Sequence, residues 1–208
     1  GCPAASTPTE RIRGLNGSER TDLQLIAAFR SSDDPRILEE IVKRHMGHVR
    51  AAVYPLVLNA ADADDVAQEA MLRILSGLKS FRGTAAFATW RYRVAVNTAL
   101  SFLRQRNRLR ARLSEVDPPA DAPDREDRTP PRQAEASELN RLITAAMKLL
   151  PPEQRAALAL VAIQGLSEKE AAIACRCTFA TLRWRLFRAR QRLKRELGMQ
   201  ESTRHATR

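Results

Sequence analysis

Aromatic residues are scarce in this chain: six Phe, two Trp and two Tyr make up 5% of its 208 residues. β-Branched runs are also few, whereas Ala, Leu, Arg and Glu abound, a balance that favours helices over sheet. No apolar run reaches the ~20 residues needed to cross a bilayer. The opening GCPAASTPTERIRG has no apolar h-region, so the expectation is a cytoplasmic protein with no membrane insertion. The three cysteines, Cys2, Cys175 and Cys177, are odd in number and irregularly spaced, which argues against a disulfide framework. Cys175 and Cys177 have no second pair to complete a zinc site, and residues two apart do not share a helix face. They are expected to be free, buried or half-buried thiols. There is no P-loop, no paired metal carboxylates in a helical motif and no Ser/His/Asp set. The chain therefore reads as a non-enzyme without a cofactor.

Positive charge is what the sequence has in excess. The formal net charge is +11, in a chain that is otherwise ordinary for a globular protein at 44% hydrophobic and 28% charged. Such a balance points to nucleic acid or another anionic surface. The charge is densest in Thr178–Leu197, where Leu182, Leu186, Ala189 and Leu193 form one apolar stripe at helical spacing. Around it stand Arg183, Arg185, Arg188, Arg190, Arg192, Lys194 and Arg195, with no acid before Glu196. Like charges one helical turn apart repel, so this helix suits a polyanion better than plain solvent. Ahead of it, Ser167-Glu-Lys-Glu170 has the pattern of a capping box, and Cys175–Arg176–Cys177 turns the chain. A short helix, a three-residue turn and a basic helix capped by Thr178 make a helix-turn-helix, whose second helix enters the major groove.

The rest of the chain reads as helices and one linker. A first helix begins at Asp22 with Leu23, Ile26 and Phe29 inward. Asp34 and Pro35 start a second, with Leu38, Val42, Val49, Val53 and Leu56 on its inner face and Pro55 ending or kinking it. His45 and His48 on this helix, without further ligands, are expected to be satisfied surface residues. Asp62 opens a third helix with Val66, Ala70, Ile74 and Leu78 buried and Asp65, Gln68, Glu69 and Met71 on the other side. That acidic and amide face, on a basic protein, is unsuited to DNA and suits solvent or a basic protein partner. Four of the ten aromatics, Phe81, Phe87, Trp90 and Tyr92, fall within twelve residues, interleaved with Arg82, Arg91 and Arg93. They suit either stacking on unpaired bases or anchoring a helix pair. Helical pattern resumes at Ala86, with Val94, Thr98 and Phe102 inward, and its tail carries Arg104, Arg106, Arg108, Arg110 and Arg112 as a phosphate grip.

From Asp117 to Glu138 the chain holds five prolines, seven acids and three arginines, too polar to pack. Fully extended, such a segment reaches about 70 Å, close to the rise of two turns of duplex. A second helical unit follows: Leu142, Ala146 and Leu149 on one face, then a helix from Pro151–Pro152 carrying Ala156, Leu160 and Ile163 and stopped by Gly165.

Four stretches, DADDVAQEAMLRIL, FRGTAAFATWRYRVAVNTALSFLR, LPPEQRAALALVAIQGLSEKEAA and TLRWRLFRARQRLK, together resemble the bacterial extracytoplasmic-function (ECF, group 4) sigma factors of RNA polymerase. The resemblance implies an all-α fold of two small domains, sigma-2 at residues 21–113 and a sigma-4 helix-turn-helix at 139–198. They are joined by an acidic linker at 114–138 and flanked by an arm at 1–20 and a tail at 199–208. It implies core polymerase binding, through the β′ clamp and β subunits, by Asp65, Gln68, Glu69 and Met71. It assigns −10 recognition and melting to Phe81, Arg82, Gly83, Phe87, Trp90, Arg93, Asn97 and Arg104. It assigns −35 recognition to Arg176, Thr181, Arg183, Trp184, Phe187 and Arg188. Further implied are promoter DNA as ligand, an anti-sigma factor as partner, and a free monomer. Two positions depart from the family pattern. Arg176 stands in the turn where glycine is common. Trp184 stands where a small or polar residue is usual, and it either packs against the first helix of the motif or meets a thymine methyl. A stand-alone helix-turn-helix regulator is the main rival, although it needs neither the acidic linker nor the Asp65–Glu69 face. A transposase would need clustered acids or a nucleophile beside arginines, and a sigma-like decoy would not need both basic surfaces.

Overall fold

A computed structural model describes residues 20–114 and 144–206. Residues 1–19, 115–143 and 207–208 lie outside the described residues, and with them nearly all of the arm and linker and the expected inner residue Leu142. Among those described there are helices and no strands.

Helix α1 (Asp22–Ser32) starts with a capping box between Thr21 and Gln24. Leu25, Ile26 and Phe29 face inward, whereas Leu23 is 61% exposed, so the inner face is rotated from the expected one. Asp34 accepts from the Arg36 amide and Pro35 occupies the first turn of α2 (Pro35–Val57). This helix buries Ile37, Ile41, His45, Val49, Val53 and Leu56, a set one residue out of phase with Leu38 and Val42, which are only half-buried. Pro55 does not break it: the helix ends two residues later, with Leu58 in the left-handed region at φ 61°. Helix α3 (Ala60–Gly77) is capped by Asn59, which accepts from the Asp62 amide. Asp62 is thus in the first turn, where a carboxylate meets the helix dipole, and it reaches Arg106 at 3.0 Å.

After a 3₁₀ turn, Leu78–Ser80, the chain crosses a loop to α4 (Phe87–Ser114). Arg30 of α1 holds this corner by donating to the Leu78 carbonyl, at 3.0 and 3.2 Å, and to that of Phe81. Helix α4 packs on α2 and α3, and on the helices Pro152–Leu158 and Glu168–Ala174 of the second unit as well. It buries Phe87, Arg91, Tyr92, Ala95, Val96, Ala99 and Leu103. These residues span too wide an arc for one amphipathic stripe, as a helix touched from two sides requires.

The second unit contains α5 (residues 144–148), α6 (Pro152–Leu158), a π-helical turn at Ala159–Ile163, α7 (Glu168–Ala174) and α8 (Phe179–Ala206). The π turn, closed by Gln164 N–H donating to the Ala159 carbonyl at 2.9 Å, changes the helical phase. Leu160 is therefore buried while Ile163 is 47% exposed, against the expectation of one continuous face. Gly165 ends the element at φ 69°. Ser167 and Glu170 form both bonds of the capping box. Ala171, Ala172 and Ala174 are buried in α7, and small side chains there let it lie close to both α4 and α8. The two units also share a polar bridge. The Tyr92 hydroxyl donates to Gln164 Oε1 at 3.0 Å, and Gln164 Nε2 donates to the Ala51 carbonyl of α2 at 2.9 Å.

Two glycines give a contrasting pair of predictions. A Cβ on Gly77, at the end of α3, would stand 2.9 Å from the Trp90 ring, while one on Gly47 in α2 would meet nothing within 4 Å. Gly47→Ala should therefore stabilise by about 1 kcal/mol through helix propensity. Gly77→Ala should instead destabilise by about 1–3 kcal/mol through overpacking. Denaturant unfolding checks both, and Trp90 fluorescence in a Trp184→Phe background should shift to the red only for Gly77→Ala.

Candidate polymerase and nucleic-acid interfaces

The exposed side of α3 presents Asp65, Gln68, Glu69 and Leu72, the last 66% exposed. Glu69 is paired one turn on with Arg73 at 2.8 Å, both side chains 54% exposed. Surface pairs of this kind contribute little to stability and leave the carboxylate available. Met71, assigned to the same face from sequence, is 2% exposed and part of the core. It lies four residues after Ala67 and three before Ile74, both buried, so its spacing already put it inside. Leu72 takes its place as the apolar element of the exposed face.

The loop between the 3₁₀ turn and α4 is bracketed by aromatics that belong to the core. Phe81 and Phe87 are each 5% exposed and meet edge to face at 5.6 Å, while Trp90 stacks on Phe87 at 5.7 Å. Such pairs contribute roughly 0.5–1.5 kcal/mol each beyond their buried area. Of the two readings of this aromatic cluster, anchoring holds for both phenylalanines, and Trp90 is half-buried beside them. What the loop offers to a ligand is Arg82, Gly83 and Thr84, all exposed, with Gly83 at φ 71° making the turn. Arg93 and Asn97 are half-buried one turn apart, the Asn97 amide donating to the Arg93 carbonyl at 2.7 Å. Arg104 is exposed and bonds Ser101. Arg106 departs from the expected phosphate grip: it is half-buried, paired to Asp62. Its charge, after burial, is the second cause lowering the Arg155 guanidinium from its ordinary value.

Arg91 and His45 form a polar contact that sequence spacing did not reveal as such. Both are 4% exposed. His45 Nε2 lies 2.9 Å from Asp22 Oδ1 of α1, and Arg91 Nη1 meets His45 Nδ1. An arginine can only donate, so Nδ1 accepts and the ring proton sits on Nε2, donated to Asp22. The expectation of a surface histidine fails for this reason; His48 is exposed, as expected. His45 falls four residues from Ile41 and from Val49, both buried, and that interval was the available signal. Burial alone would raise the Asp22 carboxyl, but the hydrogen bond from His45, then the hydrogen bond and charge of Arg44, hold it below its ordinary value.

Helix α8 is reached through the turn at Cys175–Thr178. Arg176 takes the left-handed conformation at φ 51°, the geometry that makes glycine common in such a turn. Thr178 Oγ1 accepts from the Thr181 amide at 3.1 Å. The helix extends to Ala206, beyond the Leu197 end expected from the charge pattern. Leu182, Leu186 and Ala189 are buried. Arg176, Arg183, Trp184, Phe187 and Arg188 are exposed and Thr181 is half-buried. Arg183 lies 3.7 Å from Glu168 of α7. Cys175 and Cys177 are free, one buried and one half-buried. Burial, then Cys177, pushes the Cys175 thiol up to about 12, which leaves it protonated and unreactive.

The Asp22 arrangement predicts an acid sensitivity with a definite sign. A carboxyl depressed in the folded state stabilises it above the unfolded value and loses that contribution as pH falls through the folded value. Stability should therefore fall more steeply below about pH 4 in the native chain than in Asp22→Asn. Urea unfolding across the range from about pH 2.5 to 6 checks this.

Residues 41–109 match Sigma-70 region 2, and residues 140–193 match Sigma-70, region 4. The RNA polymerase sigma-H factor of Pseudomonas aeruginosa is 30% identical over 188 residues, covering 86% of this chain and 95% of its own length. The ECF RNA polymerase sigma-E factor of Escherichia coli is 32% identical over 180 residues, covering 84% and 93%. Among solved structures, CnrH in complex with the cytosolic domain of CnrY superposes with a TM-score of 0.61 at 23% identity, covering 84% of this chain and 96% of that one. The sigma factor RpoE in complex with the anti-sigma factor NepR from Bartonella quintana gives 0.58 at 22%, covering 77% and 96%. These two show the shared fold. With two sigma-70 regions in order and relatives of 30% identity and above matched over more than four-fifths of it, the chain belongs to the ECF sigma factors of RNA polymerase.

Proposed function

We propose that this sigma factor directs promoter-specific initiation by dividing the work between two surfaces of opposite character. Core polymerase docks on the exposed side of α3 through Asp65, Gln68 and Glu69, with Leu72 as the apolar contact. The loop Arg82–Gly83–Thr84, with Trp90 and with Arg93 and Asn97 on α4, takes the −10 strand, and exposed arginines such as Arg104 hold phosphate. Outward residues of α8, Arg183, Phe187 and Arg188, read the −35 element in the major groove, with Arg176 and Thr181 beside the backbone. The sigma-2 unit is taken as residues 21–113, the sigma-4 unit as 139–198, and the acidic 114–138 segment as the connection that occupies a path made for RNA. The protein carries out no covalent chemistry and works in the cytoplasm.

The observation that supports this reading most is the separation of charge. In a chain of net charge +11, α3 keeps an exposed acidic and amide face, while α8 carries an exposed basic one. DNA repels the first and attracts the second. A polymerase-independent regulator has no use for the α3 face. Of the two solved complexes of this fold, one holds CnrH with the cytosolic domain of CnrY and the other the sigma factor RpoE with the anti-sigma factor NepR, and an anti-sigma partner is proposed here by analogy with the second.

Two variants should separate the surfaces. Arg188→Ala should weaken −35 readout by about 1–3 kcal/mol and leave affinity for core polymerase unchanged. Glu69→Lys should weaken core binding and leave DNA affinity of the isolated chain unchanged or raised. Fluorescence anisotropy with labelled core and with labelled promoter duplex reads both. Two variants with the same profile would contradict the division.

A further inference from the structure

The outward face of α8 carries two aromatics that its basic character does not account for. Leu182, Leu186 and Ala189 are buried. At 100° per residue, Trp184 stands almost diametrically opposite that stripe, flanked by Phe187 and Arg188. Trp184 is 58% exposed and Phe187 56%. The contact across to α7 is made by Arg183, with Glu168, so packing of Trp184 on the first helix of the motif is not what holds it. Its neighbour is Arg188, whose guanidinium lies 5.9 Å from the ring centroid, a cation–π contact one helical turn long.

An indole at the centre of a groove-facing surface has few suitable partners. It has one donor and no acceptor, so it cannot make the bidentate contacts by which Arg, Asn and Gln identify bases. Base edges in the major groove offer one apolar group, the 5-methyl of thymine. Covering that methyl removes apolar surface from water on both sides. The arginine over the ring face keeps its own outer donors free for a guanine or a phosphate.

We propose that Trp184, with Phe187 beside it, reads thymine 5-methyl groups in the −35 element. This rests on the assignment of α8 as the −35 reader. Promoter choice then depends on methyl contacts as well as on the hydrogen bonds of the arginines.

The test begins with holoenzyme, assembled from the full chain and core polymerase, selecting a −35 element from a randomised library. The selected duplex is then made with dT, or with dU in place of every dT of that element on both strands, and holoenzyme binding is compared by competition. The dU form, which keeps every hydrogen-bonding group and lacks only the methyl, should bind about fourfold more weakly per contacted methyl. Trp184→Ala should lose most of the difference, Trp184→Leu should keep more of it, and Trp184→Ala with Phe187→Ala should bind both forms alike. Equal binding of dT and dU forms by the native chain overturns the inference, as does a selected element without A·T pairs. So does a Trp184→Ala variant that distinguishes the two as strongly as the native chain. A selection returning no −35 preference at all would instead overturn the underlying assignment.

Discussion

The burial of α4 on two sides is the constraint on which the rest of the structure depends. Its Phe87 and Arg91 meet α2 at His45, and Trp90 fits against α3 where Gly77 leaves room. Tyr92 reaches across to Gln164. The helix is therefore both the centre of one unit and a wall for the next. Polar residues on it cannot all face water: Arg91 is buried, with its Nη1 on His45 and its guanidinium over the Tyr92 ring. The same helix carries the −10 residues of the proposed mechanism. Their positions are thus set by the core itself, and the loop that precedes it is held at its start by Arg30.

Much of this was legible in the sequence, and the parts that were not share a physical cause. Caps read well because they depend on local bonds: Asp34, the Ser167–Glu170 box and Thr178 are where spacing put them. The family and the all-α class were equally plain from ordered motifs. Periodicity failed where a polar side chain occupies a core position. His45 and Arg91 look like surface residues until their long-range contact is known, because neither carries a hydrophobic signal. It failed again at Ala159–Ile163, where an apolar run gives no hint of a π turn and only the later phase, with Ile163 outside, reveals it. Met71 is a different case, since its spacing did mark it as internal. Docking of the two units was invisible because Gln164, the residue that bridges them, lies beside a helix-ending glycine and resembles any loop residue.

On the proposed reading, the surfaces left over after packing let one protein serve two partners of different kind. A uniformly basic surface would bind DNA without discrimination through phosphate contacts alone. Under the proposed function the acids of α3 give a place that repels DNA, and the arginines of α8 flank aromatics that carry no charge of their own. Specificity on this account comes from what the charge is combined with. Buried, protonated Cys175 and the 5%-exposed Phe81 and Phe87 belong to the packing of the fold.

The most direct measurement is run-off transcription with purified chain, core polymerase and a promoter library, read by sequencing the transcripts. Initiation is expected from a restricted set of templates sharing two spaced elements, with no such initiation from core polymerase alone. Binding of naked DNA by the isolated chain, without any selected initiation when core polymerase is added, would contradict it.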